Sequence, residues 1–234
     1  TVGQHVDAMQ VEVLIGVRDR AILVTGGTGS LGTALVERLL SGQFGVPGRI
    51  VVFSRDEAKQ HALRLRWGRL GVATDDAIWR DSSRIVQFRV GDVRDADAIA
   101  AATDDVDIIV HAAALKQVPT CEYFPEEAVR TNVTGAENLV RAVRRARGRV
   151  QAVVGVSTDK AVKPVNVMGM SKSMQERVLS RANMDQPECR FVLVRYGNVM
   201  ASRGSVVPLF QEQAAAGRPL TVTDTEMTRF LIGI

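Results

Sequence analysis

The glycine-rich segment TGGTGSLG, residues 25–32, restricts the fold more than any other feature of this chain, because it joins an apolar run directly to a helical one. The run before it, AILV, consists of residues that favour a buried strand, and the stretch after it has leucines at helical spacing. Gly26, Gly29 and Gly32 permit a tight turn, a close approach of backbone amides to phosphate, and close packing of helix on strand. The segment predicts a dinucleotide-binding strand–turn–helix unit, with an ordinary strand-to-helix loop as the alternative.

Strand-like and helical runs alternate along the rest of the chain. The predicted strands lie at residues 20–26, 49–54, 84–92, 106–113, 150–158 and 190–198, and the predicted helices between them at residues 30–40, 55–70, 95–103, 125–147 and 169–184. Such alternation is typical of βαβ units, in which helices cover both faces of a parallel sheet. We therefore predict an α/β fold with a Rossmann-like, doubly wound parallel sheet and the start of a small C-terminal substrate lobe.

The same pattern divides the chain into three parts. Residues 1–19 are a predicted N-terminal arm, residues 20–200 the NAD(P)-binding Rossmann domain, and residues 201–234 a partial substrate-binding lobe. The stretch GVATDDAIWRDSS, residues 71–83, is a predicted insertion before the third strand.

The overall composition argues against several classes of protein. Hydrophobic residues make up 46% of the 234 residues and charged residues 24%, which is ordinary for a soluble globular protein. No apolar run reaches the roughly 18 residues that a membrane helix requires. Much of the basicity lies in residues 141–149, which include no aromatic residue to stack on bases, so we expect no nucleic-acid partner. Cys121 and Cys189 show neither CxxC spacing nor a disulfide pattern, so we expect a cytoplasmic protein, and we predict no metal site.

The end of the second strand predicts which cofactor binds. An acidic residue there would hold the free 2′-hydroxyl of an NAD ribose, whereas Ser54 and Arg55 suit the 2′-phosphate of NADP. NADP is therefore the predicted cofactor, and Asp56 keeps NAD as the alternative. Asp92 in GDVRD is placed to accept from an adenine amino group, and the alanines at 112–114 leave room for a cofactor ring.

Five motifs in fixed order carry a resemblance to a known family: TGGTGSLG, GDVRD, HAAALKQVP, STDKAVKPVNVMGMSK and RYGNVMASRGSVVP. Together they resemble the extended short-chain dehydrogenase/reductases. More narrowly, they resemble the polysaccharide-biosynthesis branch, the inverting UDP-N-acetylglucosamine 4,6-dehydratase/5-epimerases of the CapD/CapE/PseB kind. The similarity runs over residues 21–230. Met168 stands where the superfamily carries its acid/base tyrosine, although members of this branch carry either residue.

The resemblance implies an activity on a UDP-sugar in three steps. Hydride passes from C4 of UDP-N-acetylglucosamine to NADP⁺, and the resulting ketone acidifies the hydrogen on C5. A base then removes that hydrogen while the C6 hydroxyl leaves as water. Finally hydride returns to C6, and a proton reaches C5 from the opposite face. The resemblance implies a carbon–oxygen lyase for the synthesis of surface polysaccharide precursors.

The resemblance also implies which residues act. Asp159 is the expected acid for the departing hydroxyl and Lys160 the base at C5, which requires a turn directly after the fifth strand. Thr158 is expected to orient the C4 hydroxyl, Lys172 to hold the nicotinamide ribose and supply positive charge, and Met168 to form an apolar wall. An Asp159–Lys160 ion pair without a catalytic role, and ordinary core packing of Met168, are the alternatives.

The remaining predicted contacts follow the same motifs. The predicted cofactor-binding residues are Gly26, Thr28, Gly29, Ser30, Leu31, Gly32, Ser54, Arg55, Asp92, Val93, Ala112, Ala113, Ala114, Lys172 and Tyr196. The predicted substrate-binding residues are Lys116, Asn198, Arg203, Val207 and Pro208. By analogy with relatives we also expect a homo-oligomer.

Two other functions compete with this interpretation. A nucleotide-sugar 4-epimerase or another extended reductase uses the same cofactor and the same first step, but such enzymes are expected to keep the tyrosine that Met168 replaces. A catalytically inactive cofactor-binding protein or fragment is the second alternative, because the sequence ends within the predicted substrate lobe.

Overall fold

A six-stranded parallel sheet forms the centre of the protein. The structure is a computed structural model and describes residues 16–73, 85–200, 206–222, 224, 226, 228 and 230–233. The strands of the sheet are β1 (Ala21–Thr25), β2 (Arg49–Ser54), β3 (Val86–Val90), β4 (Ile108–His111), β5 (Ala152–Thr158) and β6 (Arg190–Tyr196). Their order is β3-β2-β1-β4-β5-β6, and every neighbouring pair is parallel. The predicted Rossmann-like, doubly wound sheet is confirmed.

Helices cover both faces of this sheet. They are α1 (Ser30–Leu40), α2 (Glu57–Ala73), α3 (Ala96–Thr103), α4 (Val118–Tyr123), α5 (Pro125–Ala128), α6 (Gly135–Arg145), α7 (Val167–Asp185) and α8 (Val206–Ala215). A π-helical segment (Val129–Thr134) lies between α5 and α6, a 3₁₀ turn (Asp159–Ala161) follows β5, and β7 (Asn198–Val199) pairs with β8 (Leu231–Ile232).

The prediction of one helix over residues 125–147 was wrong in its interior and at its end. The π-helical segment interrupts it, and the helix ends at Arg145. Asn132 in that segment donates to the carbonyl of Leu115 and to the hydroxyl of Ser171, and it accepts from the amide of Leu115. These contacts with distant parts of the chain accompany the break, and the helical pattern of the sequence does not reveal them. Helix α4 was not predicted at all.

Two apolar layers hold the helices on the sheet. On one face Leu23, Phe53, Ile109 and Val153 pack with buried residues of α3, α6 and α7. On the other face Ile22 and its neighbours on β1 and β2 pack with buried residues of α1 and α2. Because both faces are covered, the central strands are apolar without alternation, which is why the sequence predicted them well.

Parts of the predicted division lie outside the described residues. These are residues 1–15 of the arm, residues 74–83 of the insertion, and residues 201–205 and several later positions of the substrate lobe. Within the described part of that lobe, the amide of Asn198 donates to the carbonyl of Phe230 over 2.7 Å, which joins β7 to the segment before β8. The three-part division stays a prediction.

The turn after β1 depends on two glycines. Gly26 has a φ of 68°, and a Cβ atom there would lie 2.7 Å from the amide nitrogen of Ala113. A Cβ atom on Gly32 would lie 2.6 Å from both the carbonyl oxygen of Gly26 and the Cα of Gly27. The backbone of α1 therefore packs directly on the turn, which brings the first turn of the helix to the end of β1.

We expect Gly32→Ala to destabilise the protein, because the new methyl group meets backbone atoms that have no room to move. The free energy of unfolding in urea should fall by about 1–3 kcal/mol, as for other over-packed sites. Gly68→Ala is the matched control, since Gly68 lies in α2 with open space around it, and alanine there should stabilise by about 0.5–1 kcal/mol. A Gly32→Ala protein as stable as the wild type would contradict this account of the turn.

Candidate active site

A cleft of about 660 Å³ opens at the carboxyl ends of the central strands. This position is expected for a ligand site in a doubly wound sheet, because the strand order reverses between β1 and β4. The volume falls in the range of about 300–1,000 Å³ that is usual for small-molecule sites. All of the predicted cofactor-binding residues line the cleft, from the glycine turn to Tyr196.

The glycine turn gives the cleft the properties of a phosphate site. Helix α1 begins at Ser30, and no side chain caps its N-terminus because the preceding residue is Gly29. A Cβ atom on Gly29 would already touch the carbonyl oxygen of Gly26 at 3.2 Å. Backbone amides and the positive end of the helix dipole thus face the cleft without side-chain cover, an arrangement that suits a pyrophosphate.

The end of β2 holds a hydroxyl and two cations at the edge of the cleft. The side-chain amide of Gln60 donates to the Ser54 carbonyl and hydroxyl oxygens, each over 3.0 Å, which leaves the Ser54 hydroxyl hydrogen for a ligand. Arg55 and Lys59 also line the cleft. Lys59 forms an ion pair with Asp56, so the carboxylate that would favour an NAD ribose already has a cationic partner.

Asp92, at the end of β3, is held as a carboxylate. Burial by itself raises its pKa, but hydrogen bonds from the amide and guanidinium of Arg94 and the charge of Arg55 leave the pKa below its ordinary value. The guanidinium of Arg55 lies 3.6 Å from the Asp92 carboxylate. Asp92 is therefore an ionised hydrogen-bond acceptor where the adenine amino group was predicted to bind.

The predicted turn after β5 is present, and it brings Thr158, Asp159 and Lys160 into one hydrogen-bonded group. The chain leaves the strand at Thr158 and enters the 3₁₀ turn, with the Lys160 amide donating to the Thr158 hydroxyl. The Lys160 ammonium donates to Asp159 Oδ1 over 3.0 Å and to Asn198 Oδ1 over 2.8 Å. Thr158, Lys160 and Asn198 line the cleft, whereas Asp159 does not.

Asp159 is an ionised member of this group. Burial raises its pKa, but hydrogen bonds from Lys160 and Thr158 outweigh burial and leave the pKa lowered. A carboxyl group that is to donate a proton needs the opposite shift. The structure therefore forms the ion pair that the sequence analysis named as the alternative arrangement.

Met168 forms an apolar part of the cleft wall. It lies in the first turn of α7, whose N-terminus is capped by Asn166 Oδ1, an acceptor for the amide of Gly169 at 2.8 Å. The Met168 side chain is buried with Cys121 and Ala128 beneath the helices α4 and α5. It offers the cleft an apolar surface and no titratable proton.

Lys172, one turn further along α7, is the buried cation of the cleft. Its ammonium donates to the carbonyl of Val156 over 2.6 Å and to Gln175 Oε1 over 2.5 Å. Burial lowers the pKa of Lys172 to about 7, and the charge of Glu176 offsets only part of that effect. Glu176 is itself bound by Ser157 and Arg195. Near neutral pH, Lys172 therefore exchanges between its charged and neutral forms.

This lowered pKa predicts how stability depends on pH. The ordinary pKa of lysine, 10.5, applies to the unfolded chain, so above about pH 7 the folded protein releases a proton that the unfolded chain keeps. The free energy of unfolding should therefore rise with pH, whereas Lys172→Met loses this contribution. The free energy of unfolding of the wild type, minus that of Lys172→Met, should rise by about 1.4 kcal/mol per pH unit between about pH 7.5 and pH 9 in urea titrations. A constant difference would show that Lys172 keeps an ordinary pKa.

Three of the five predicted substrate-binding residues lie in the cleft wall. Lys116, Asn198 and Val207 line it, and burial lowers the pKa of Lys116. Pro208 was predicted beside Val207 but does not line the cleft, whereas Val206 and Val207 of α8 both do. Arg203 lies outside the described residues.

Sequence reasoning missed several residues of this region, among them Lys59, Thr131 and Gln175. Lys59 stands four residues after Arg55, and this one-turn spacing at the start of α2 was a usable signal. Thr131 lines the cleft from the π-helical segment, and Gln175 contacts Lys172; both rest on tertiary packing that the sequence does not show. Across the residues that the structure describes, no group of histidine, cysteine and carboxylate side chains is suited to hold a metal ion.

The fold and the cleft together define an extended short-chain dehydrogenase/reductase. The parallel sheet in 3-2-1-4-5-6 order, the glycine turn after β1 and the Lys172 side chain from α7 meet at one site. Over residues 22–234 the chain matches the family described as "Polysaccharide biosynthesis protein", and it belongs to that family. In the part of the chain that the structure covers, no helix is both long and apolar enough to cross a bilayer.

Curated relatives agree with this class. The chain is 44% identical over 219 residues to a UDP-glucose 4-epimerase of Rickettsia bellii (strain OSU 85-389), covering 92% of this chain and 60% of the relative. The chain thus spans about 60% of the length of the curated relatives it matches. These relatives carry the name of the alternative activity, the 4-epimerase, rather than that of the predicted 4,6-dehydratase.

Solved structures show the same fold. Pen from Bacillus thuringiensis superposes with a TM-score of 0.83 at 36% identity, covering 94% of this chain and 65% of Pen. DesIV from Streptomyces venezuelae, a dTDP-glucose 4,6-dehydratase with NAD and TYD bound, superposes with a TM-score of 0.74 at 26% identity. That match covers 91% of this chain and 68% of DesIV.

Proposed function

We propose that the protein oxidises a UDP-linked hexose at C4 and returns the hydride to the same carbon, as a UDP-hexose 4-epimerase in polysaccharide precursor synthesis. The observation that carries this proposal is the single cleft in which the glycine turn meets Thr158, Lys160 and the apolar surface of Met168. The curated relatives named UDP-glucose 4-epimerase support it.

The cleft fits a nicotinamide dinucleotide. Its pyrophosphate would lie on the glycine turn, its adenine beside Asp92, and its nicotinamide riboside towards Lys172 and Tyr196. When bound, the nicotinamide ring accepts the hydride of C4 and gives it back. DesIV holds NAD, whereas the Ser54 hydroxyl and the two cations at the end of β2 favour NADP here.

The preference for NADP predicts a selective effect of Arg55→Ala. Losing one charge-assisted hydrogen bond of about 1.5–3 kcal/mol should weaken NADP⁺ binding about tenfold or more and leave NAD⁺ binding unchanged. Calorimetric titration of both nucleotides measures this, with Arg66→Ala in the following helix α2 as the control, since Arg66 pairs with Glu37 outside the cleft. Equal weakening of both nucleotides would show that Arg55 does not read the 2′-phosphate.

The residues at the end of β5 supply the proton chemistry. Thr158 is placed to hydrogen-bond the C4 hydroxyl, and Lys160 in its neutral form accepts the proton of that hydroxyl as the carbonyl forms and returns the proton when the hydroxyl is re-formed. Asp159 and Asn198 hold the Lys160 side chain in place. Met168 stands where such an enzyme was expected to carry a tyrosine, so Lys160 takes the proton role here and Met168 offers an apolar surface on which the keto sugar can present either face.

The 4,6-dehydratase predicted from the sequence is the second candidate. The specific observation in its favour is the adjacency of Asp159 and Lys160, since elimination of water needs an acid and a base at neighbouring carbons. The relationship to DesIV also supports it. The ionised state of Asp159 and its place outside the cleft wall favour the epimerase, because epimerisation needs only one group that exchanges the proton of the C4 hydroxyl.

One incubation distinguishes the two activities. The purified protein is given UDP-glucose or UDP-N-acetylglucosamine with NADP⁺ or NAD⁺, and the products are followed by mass spectrometry and NMR. Epimerisation gives the galacto isomer at unchanged mass, whereas dehydration gives a 4-keto-6-deoxy product that has lost one water. If neither product forms, the proposed function is overturned.

Variants then test which lysine acts. Lys160→Met should lower turnover about 100-fold or more, which is the usual contribution of a general acid/base. Lys163→Met is the control, because Lys163 is exposed three residues away and does not line the cleft. Turnover of Lys160→Met close to that of the wild type would remove Lys160 from the mechanism.

A further inference from the structure

We propose that Gln175 is the positioning residue of this site, whose side-chain carbonyl anchors the Lys172 amine in the cleft wall in place of a charged partner. The inference deepens the proposed function and rests on it, because Lys172 matters only to chemistry in the same cleft. Neither the family resemblance nor the relatives assign a role to Gln175.

The contact between the two side chains is direct and fully buried. Gln175 is 1% exposed, and its Oε1 accepts from the Lys172 ammonium at 2.5 Å. The other acceptor of Lys172 is the carbonyl of Val156, a fixed backbone atom of β5. Gln175 is therefore the side chain that decides where the amine lies.

The NH₂ group of the Gln175 side chain makes no such contact. Because lysine can only donate, its contact fixes Oε1 towards Lys172 and turns the NH₂ group away. That NH₂ group is buried without a partner among the described residues. A buried, unpaired donor destabilises a fold, and an apolar side chain of similar length would fill the space at lower cost. Packing alone does not explain a glutamine here, whereas an uncharged acceptor for Lys172 does.

The charged groups around Lys172 are engaged elsewhere. On α7 itself, Glu176 is bound by Ser157 and by Arg195 of β6. From β4, His111 is fully buried, and burial together with the nearby Lys172 charge lowers its pKa to about 3, so the ring is neutral. The 3₁₀ turn, α4, α5 with the π-helical segment, and α6 contribute ionic groups that have their own partners: Asp159 with Lys160, Glu122 with the amide of Val167, Glu127 with Arg94 and Arg130, and Glu137 with Arg141.

An uncharged acceptor leaves the protonation of Lys172 adjustable. A carboxylate at position 175 would hold the proton on the amine, whereas the neutral amide positions both the charged and the neutral form. Met168, one helical turn before Lys172, carries no proton. The protonation state of the Lys172 amine therefore sets the local positive charge beside the reacting carbon. Because Gln175 is neutral, Lys172 can gain and lose its proton near the pH at which the protein works.

The test compares Gln175→Glu and Gln175→Met with a matched control. Gln186→Met removes another buried glutamine, the C-cap residue of α7, whose side-chain amide donates to the carbonyl of Val140. The chain has five lysines, so the Lys172 signal can be assigned by its loss in Lys172→Met and titrated by ¹³C NMR of the lysine ε-carbons. Gln175→Glu should raise the pKa of Lys172 by one unit or more, Gln175→Met should lower it, and Gln186→Met should leave it unchanged.

Two readouts separate this inference from the proposed function. With substrate, the pH profile of turnover should move in Gln175→Glu by the same amount and in the same direction as the titration. If the NMR pKa moves but no variant, including the wild type, acts on UDP-hexoses, the proposed function fails while the anchoring of Lys172 stands. If the pKa of Lys172 is the same in Gln175→Glu, Gln186→Met and the wild type, the role of Gln175 is overturned whatever the activity.

Discussion

The close approach of α1 to the backbone of the turn after β1 is the constraint on which the rest of the site depends. Gly32 lies against Gly26 and Gly27 with no space for a methyl group, and Gly26 itself lies against the chain that leaves β4. These contacts set the height of the helix above the strand ends. They place the first amides of α1 and the end of β4 on the two sides of one crevice, where every other cleft residue converges.

Three of the four lysines that line the cleft lie in different electrostatic surroundings. Lys160 is partly exposed and paired with the carboxylate of Asp159. Lys172 is buried against neutral acceptors, and its pKa is lowered to about 7. Lys116 is more exposed, and burial of its ammonium lowers its pKa. A site without the tyrosine phenol thus still offers amines that differ in their readiness to release a proton, and position in the fold creates that difference.

The sequence predicted most of the sheet and the cofactor half of the site, because both follow from local patterns. Apolar runs marked strands buried on both faces, and the glycine spacing marked the turn that all the cofactor motifs surround. The sequence did not predict features that depend on contacts between residues far apart in the chain. Asn132 is tied to Leu115 and Ser171 in a helix predicted to be unbroken. The anchoring of Lys172 by Gln175 depends equally on how α7 lies on β5, and no periodicity records that.

The pairing of β7 with β8 connects residues 230–232 to the cleft. The backbone amide of Asn198 donates to the carbonyl of Phe230, and the side-chain oxygen of Asn198 accepts from the ammonium of Lys160. The backbone of Gly197 packs closely against Phe230, since a methyl group there would lie 2.4 Å from the Phe230 carbonyl oxygen. Residues 230–232 thus fix the position of Asn198, so that a shift of this ribbon would move the Lys160 ammonium within the cleft.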